Sequence, residues 1–443
     1  MTDTTATEGA AGLDPAMLDP PWPLFEAMRE HAPVFEVPGM GAYLVTRYED
    51  IHHIVMNPKT FSSELEFGTG LSFLPATPEK EAALAKGGYR WVPTLGFTDP
   101  PVHKRVRAAV QKGFSSRRVR QLGGVVQELC GEIIDNLDPN NVVDYAQQVA
   151  LQLPVMVIGE ALGVAREDRD RFNRWADAVL QRLGEQITEE QDLELIGEYV
   201  DAELYFTELI ARRRKQRTDD LLSDLVYAQE ESDDPITDEE LMSIVSFLPV
   251  AGSRTSAGLI GMTMHYLVEH PDDLARVRED DAYLAAVIEE TLRMQSPIQA
   301  WFRRTTVDVE LGGVKIPANS RLLVAFASAN RDERQFGCPA EFHANRDNIR
   351  EHLAFGRGAH LCPGATLARA ETRIATRTFL SRFSSVRMAS GCEGQYHPNL
   401  VHRMVEHLPL VVTAMEDDPQ TYPGAAQSRC GSTQMTLSNG ATT

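Results

Sequence analysis

Two kinds of segment are missing from this chain of 443 residues. Its start, Met1-Thr2-Asp3-Thr4-Thr5-Ala6, has neither the basic opening nor the apolar run of a secretory leader, so none is expected. No apolar run approaches the roughly 18 residues needed to span a bilayer. Positive charge is also short, with 43 Lys and Arg against 64 Asp and Glu and a formal net charge of −21. A surface of that sign is repelled by phosphate backbones and anionic lipid, which argues against nucleic acid and membrane as partners. Cysteine is scarce. Cys130, Cys338, Cys362, Cys392 and Cys430 are scattered, with no CxxC pair and no zinc-like spacing, as expected where thiols stay free in a reducing compartment. A cytoplasmic protein is the reading that fits all of these.

The middle of the chain also lacks a linker and an internal repeat, so a single domain over 14–415 is expected despite the length. Residues 1–13 and 416–443 are low in hydrophobicity and are expected to be disordered tails. Between them helical periods dominate, from Leu24-Phe25-x-x-Met28 onward, and 116–295 reads as helix after helix. Strand signals are few. Val34–Val37 and Ala42–Val45 flank Pro38-Gly39, and Val307–Leu311 and Val314–Ile316 flank Gly312-Gly313, two hairpin patterns. Arg321–Ala325 and Leu410–Val412 read as further short strands. The fold class expected is mainly α with small β-sheets.

The most informative stretch is Phe355-Gly356-Arg357-Gly358-Ala359-His360-Leu361-Cys362-Pro363-Gly364. Glycines allow tight turns and close approach of backbone to a flat ligand. A helix start follows Pro363, so the lone thiol is held near a helix N-terminus, where negative charge is favoured.

This segment resembles the cytochrome P-450 family, whose pattern Phe-Gly-x-Gly-x-x-x-Cys-x-Gly it matches at every fixed position. The resemblance runs from about Pro21 to Thr413. It implies a heme b (iron protoporphyrin IX) held between a long oxygen-binding helix and the helix after the cysteine loop. Cys362 would be the thiolate ligand of the iron, with Phe355, Gly356 and Gly364 shaping the loop around the cofactor. The propionates would be held by His103 and Arg107, in Asp99-Pro100-Pro101-Val102-His103, by Arg303, and by His360. Glu290 and Arg293, in the family's Glu-x-x-Arg, with Arg346, would form a structural ion network; the similar Glu26-Ala27-Met28-Arg29 reads as a surface pair.

Thr237-Asp238-Glu239-Glu240 is a capping box that opens a long helix. Along it, Ala251-Gly252-Ser253-Arg254-Thr255 matches the family's Ala-Gly-x-(Asp or Glu)-Thr, with the small pair leaving room for O2 and Thr255 relaying protons. The acid is replaced by Arg254, which cannot release a proton near neutral pH. Three readings stay open: Arg254 faces away and another group supplies protons, it faces the pocket and holds an anionic substrate group, or peroxide replaces O2 and electrons. Pro249, inside the helix, removes one backbone bond, and Pro363 removes one amide donor beside the sulfur.

Basic residues gather in Lys104, Arg105, Arg107, Lys112, Arg117, Arg118 and Arg120, and again in Arg369, Arg373 and Arg377. By resemblance both groups lie on the cysteine side, where an acidic ferredoxin would dock. A substrate pocket is expected from Leu74, Trp91, Leu183, Phe247, Val250, Ile298, Trp301, Leu400, Val401 and Met404. The implied activity is insertion of one atom of O2 into a small or mid-sized apolar organic molecule, with electrons from NAD(P)H through a reductase and a ferredoxin. A peroxide-using enzyme and a non-catalytic heme protein are the alternatives.

Overall fold

The computed structural model describes residues 20–38, 40–65, 75–184, 187–396, 399 and 401–415. Both expected tails, together with Leu74, Leu400 and the side chain of Leu183, lie outside the described residues. The helices are α1 (Trp22–His31), α2 (Tyr48–Met56), α3 (Pro78–Leu84), α4 (Val102–Gly113), α5 (Ser116–Asp135), α6 (Gln152–Leu162), α7 (Arg169–Gly184), α8 (Glu189–Lys215), α9 (Leu221–Glu230), α10 (Asp238–Glu269), α11 (Pro271–Glu279), α12 (Asp281–Gln295), α13 (Phe326–Ala329) and α14 (Ala365–Arg382). None of the described helices is long and apolar enough to cross a membrane.

The strands are β1 (Val34–Val37), β2 (Ala42–Val45), β3 (Phe61–Ser62), β4 (Val143–Asp144), β5 (Trp301–Thr305), β6 (Val309–Leu311), β7 (Val314–Ile316), β8 (Arg321–Val324), β9 (Phe383–Met388), β10 (Gln395–Tyr396), β11 (Val405–His407) and β12 (Pro409–Ala414). Five form a sheet in the order β1-β2-β8-β5-β3, and β4-β12-β9, β10-β11 and β6-β7 are smaller. Both hairpins form, with Val37 opposite Ala42 and Leu311 opposite Val314. The strand around Val309 starts later than its apolar run suggests, and the Asp308 carboxylate just before it accepts the Ala318 amide at 2.8 Å.

Two large apolar cores divide the molecule. One, built on α4–α6, α8–α10, α12 and α14, contains Val126, Phe206, Ile260 and Phe379; the other lies under the five-stranded sheet and contains Phe25, Leu44 and Leu323. α10 crosses the first as its central rod. Both arms of its capping box form: Glu240 N–H donates to Thr237 Oγ1 at 3.1 Å and Thr237 N–H to Glu240 Oε2 at 2.8 Å. Pro249 sits inside the helix without ending it.

The pair Glu26 and Arg29 is not a surface pair. Arg29 is 4% exposed, donates to Ser328 O and Oγ at 3.3 and 3.1 Å, and meets Glu333 at 3.4 Å. α1 packs on α13, and that contact claims the guanidinium.

Candidate active site

The cysteine loop is shaped by its own backbone. Cys362 N–H donates to Phe355 O at 2.9 Å and Gly356 N–H to Leu353 O at 2.8 Å, while Gly356 and Gly358 take φ of +67° and +69°, a region open to glycine. A Cβ on Gly358 would also stand 3.0 Å from Val55 O. Cys362 lies deep in the protein yet stays half-accessible because it faces a cavity. Burial raises its thiol pKa; the amides of Gly364 and Ala365 and the nearby Arg107 and Arg369 guanidinia pull it down. The proline therefore leaves two amide donors to the sulfur.

The cavity holds about 320 Å³ and runs between this loop and α10. At one edge it gathers cationic side chains. Arg303 is 5% exposed, and its only hydrogen bond among the described residues is to the carbonyl of Phe302, at 2.7 Å. Burial pulls its pKa to about 10, against a weak upward pull from Asp99. The His103 and His360 rings sit 4.1 Å apart, and His360 Nε2 is 3.0 Å from Ser63 Oγ. Burial, then Arg303, His103 and Arg107, hold His360 down at about 3 in the protein without its cofactor. Burial, then Arg107, also lowers His103. Arg107, itself lowered by burial, donates to Leu361 O at 2.6 Å. Phe355, Gly356 and Gly364 line the same cavity.

On the opposite wall stand Ala251, Gly252, Thr255 and Ser256 of α10. Thr255 donates to Ala251 O at 3.0 Å. Gly252 is small for a reason beyond leaving space: a Cβ there would come 2.6 Å from Cγ1 of Ile158 on α6. Arg254 does not line the cavity. Its guanidinium bonds Asp177 on α7, which answers the question of where it faces.

Apolar surface makes up most of the lining. Phe247, Val250, Ile298, Trp301 and Val401 contribute as expected, but Trp91 and Met404 do not. Trp91 stands one layer back, edge-on to Phe97 at 6.4 Å, and Met404 packs near Gly258. Leu95, Phe97, Ile244 and Leu248 line the cavity and were not anticipated. Away from the cavity lining, charges tie three helices together: Lys80 of α3 meets Glu189 at 2.5 Å and Asp192 at 3.0 Å on α8, and Arg182 of α7 meets Asp192 at 2.8 Å. Lys80, Asp192 and Arg182 are all buried, whereas Glu189 is exposed.

Glu371 of α14 was also missed. It lines the cavity, is 1% exposed, and burial raises it to about 8. The signal was present: Leu367, Glu371, Ala375 and Phe379 recur every four residues, so a carboxyl sits in an apolar stripe, and all four are buried.

Behind the loop, Arg293 donates to Glu290 at 2.8 and 2.7 Å, and Arg346 at 3.2 Å. Glu290 also accepts the His343 amide at 3.0 Å. Arg293 further binds Asn330 O at 2.8 Å and Pro339 O at 3.0 Å.

A family model described as Cytochrome P450 matches residues 189–398. Cytochrome P450 107B1 of Saccharopolyspora erythraea is 35% identical over 380 residues, covering 84% of this chain and 90% of its own. The chain belongs to the cytochrome P450 family. The 6-deoxyerythronolide B hydroxylase of the same organism is 35% identical over 397 residues, 87% of this P450 and 94% of that protein. The solved P450 heme domain of Tepidiphilus thermophilus superposes with a TM-score of 0.83 at 29% identity, covering 94% and 98%. Like relatives named as a hydroxylase and a monooxygenase, this P450 is an oxidoreductase of the monooxygenase type. The family cofactor is heme b, and the residues fit it. One thiol faces a mostly apolar cavity, and Arg303, a buried cation without an ion pair among the described residues, lines it together with Arg107. Two propionates carry the charge that this edge lacks.

Proposed function

We propose that this P450 inserts one atom of O2 into a small or mid-sized apolar organic substrate, using electrons from NAD(P)H relayed by a reductase and a ferredoxin. What carries the reading is one cavity with the Cys362 thiol on one wall, Thr255 on the other and apolar side chains between. In this reading Cys362 ligates the iron, and Arg107, Arg303, His103 and His360 bind the propionates. When bound, heme supplies an iron at which O2 is reduced, with thiolate ligation favouring O–O cleavage. Phe247, Val250 and Trp301 exclude water and orient the substrate, and the Thr255 hydroxyl holds a proton at the oxygen wall. Glu290, Arg293 and Arg346 keep the segment before the loop in place.

The Arg254–Asp177 pair supports O2 over peroxide, because the guanidinium is committed to α7 and leaves the wall free. Reduced ferredoxin is therefore expected to sustain product formation, while H2O2 alone gives a small fraction of that rate. Comparable rates with peroxide alone would move the protein to the peroxide-using alternative.

Docking of the ferredoxin is narrower than the sequence suggested. Arg369 pairs with Glu289, Arg373 and Arg377 with Asp281, Arg105 with Glu240, and Arg118 with Asp219 and Asp224. Lys104, Lys112, Arg117 and Arg120 stay exposed, with no ion pair among the described residues, and are assigned the acidic partner in a cytoplasmic setting. Reduction by ferredoxin should slow as ionic strength rises, since steering between exposed charges is screened; a flat salt profile would remove this surface.

A further inference from the structure

Part of the substrate wall comes from Val401 and His402, which lie between β10 and β11, where Tyr396 pairs with Val405. One flank of this turn is clamped by the segment after α12. Gln299 N–H donates to Val401 O at 2.6 Å and its side-chain amide donates to Asn399 O. Asn399 Oδ1 in turn accepts the amides of Val401 and His402 at 2.8 and 2.9 Å. The other flank is held by α10, through side chains that neither the thiol loop nor the oxygen wall uses. His265 Nδ1 lies 2.9 Å from the Tyr396 hydroxyl. The Arg403 guanidinium lies over the Tyr396 ring at 4.0 Å and over Trp22 at 5.0 Å, and its Nε donates to Gln295 Oε1 at 3.0 Å.

Chain and helix are closely fitted at both ends of this link. A Cβ on Gly394 would come 2.7 Å from the His265 ring, and a Cβ on Gly258 of α10 would come 2.9 Å from Arg403 O. Burial lowers the His265 pKa, against an upward pull from Glu269, so the ring is neutral at physiological pH. With its proton on Nε2, toward Glu269 Oε1 at 3.4 Å, Nδ1 accepts and the Tyr396 O–H donates. Arg403, 5% exposed, follows His402 directly in the chain, so fixing its guanidinium fixes the turn.

We propose that His265, Tyr396 and Arg403 are positioning residues that hold the Val401–His402 turn in register with the oxygen wall, and so select which substrate carbon is oxidised. The selection rests on the O2 reading above; the holding does not. Thr255 and His265 stand on the same stretch of α10, after Pro249, about 15 Å apart along its axis. The wall that aims the substrate is thereby fastened to the rod that carries the oxygen site. A displacement of reacting atoms by about 1 Å can cost about a hundredfold in rate, so a shared rod keeps neighbouring carbons apart in reactivity. Gln299 still clamps the turn from its other flank, which is why loss of the link should shift the wall without unfolding it.

The test is Tyr396→Phe in the heme-loaded protein, which keeps the ring beneath Arg403 and removes only the hydroxyl. The reduced carbon monoxide band and reduction by ferredoxin should stay as in the wild type. Amide hydrogen exchange at Val401, His402 and Arg403 should quicken about two- to tenfold, the range one neutral hydrogen bond supplies. Affinity for 1-phenylimidazole, read from the Soret shift as it ligates the iron, should fall by a similar factor, because a loosened wall must be ordered again on binding. Imidazole, which lacks the phenyl arm, should bind as before. With a series of n-alkylbenzenes, O2 and NAD(P)H, the ratio of benzylic to neighbouring alcohol should move by the same factor. His265→Ala should match Tyr396→Phe, the double variant should be no worse than either, and His265→Asn, which keeps an acceptor in place of Nδ1, should restore the wild-type values. Unchanged exchange and probe affinity in Tyr396→Phe, an equal loss for both imidazoles, or additive single variants would overturn the proposal. If His265→Ala does not fold, Tyr396→Phe and His265→Asn decide. No alcohol from any alkylbenzene, with the exchange and probe effects present, would overturn the O2 reading and leave the holding role intact.

Discussion

Cys362→Ser should abolish the red-shifted Soret band of the reduced, carbon monoxide-treated protein and reduce product formation to background. A serine oxygen is a far weaker electron donor than a thiolate, and donation by sulfur is what favours O–O cleavage. The exchange should leave the fold intact, since residue 362 is held by its backbone, through the bond from its amide to Phe355 O. Circular dichroism and the melting curve of the cofactor-free variant should therefore match the wild type. A variant with the same band and activity would show that sulfur at this position is not the ligand.

Glu290→Gln should produce the largest loss of stability. Glu290 and Arg293 are both fully buried, and Arg346 shares the same carboxylate. Removing the charge leaves two guanidinia facing a neutral amide, and breaking such a pair costs about 3–5 kcal/mol. The damage should reach the cysteine loop along a short path. Arg293 binds the carbonyl of Asn330, whose side-chain oxygen accepts the Leu353 amide at 2.6 Å, two residues before Phe355. Chemical denaturation of the cofactor-free protein measures the first effect. Weaker heme retention at temperatures where the variant is still folded measures the second. A midpoint within error of the wild type would mean that the network is not load-carrying.

What could be read in the sequence was what is local in the chain. The cysteine loop is contiguous, Gly356 and Gly358 in it take the left-handed backbone of a tight turn, and the Thr237–Glu240 box forms both of its bonds. Groups defined by partners far along the chain were read less well. Arg254 could not be aimed without knowing that Asp177 of α7 crosses it. The stripe at Arg369, Arg373 and Arg377 is one helix face, as its spacing says, but Glu289 and Asp281 of α12 offset two of its three charges. Arg29 looked exposed because nothing nearby marks the arrival of α13. Trp91 missed the cavity by one layer, a distance that periodicity does not resolve. Glu371 was the opposite case: its place in a four-residue apolar repeat was visible and went unused.

The ion cluster that joins α3, α7 and α8 has a built-in fault line. With all four members present, Lys80 and Arg182 balance Glu189 and Asp192. If α3 swings outward, Lys80 and the already exposed Glu189 both pass into water, and Arg182 with Asp192 remains behind as a complete, neutral couple. Parting α7 from α8 would instead tear a pair in which both side chains are buried, the more expensive break. Of the two breaks the one at the edge of α3 should therefore cost less, so α3 can part from α8 repeatedly while α7 and α8 stay joined.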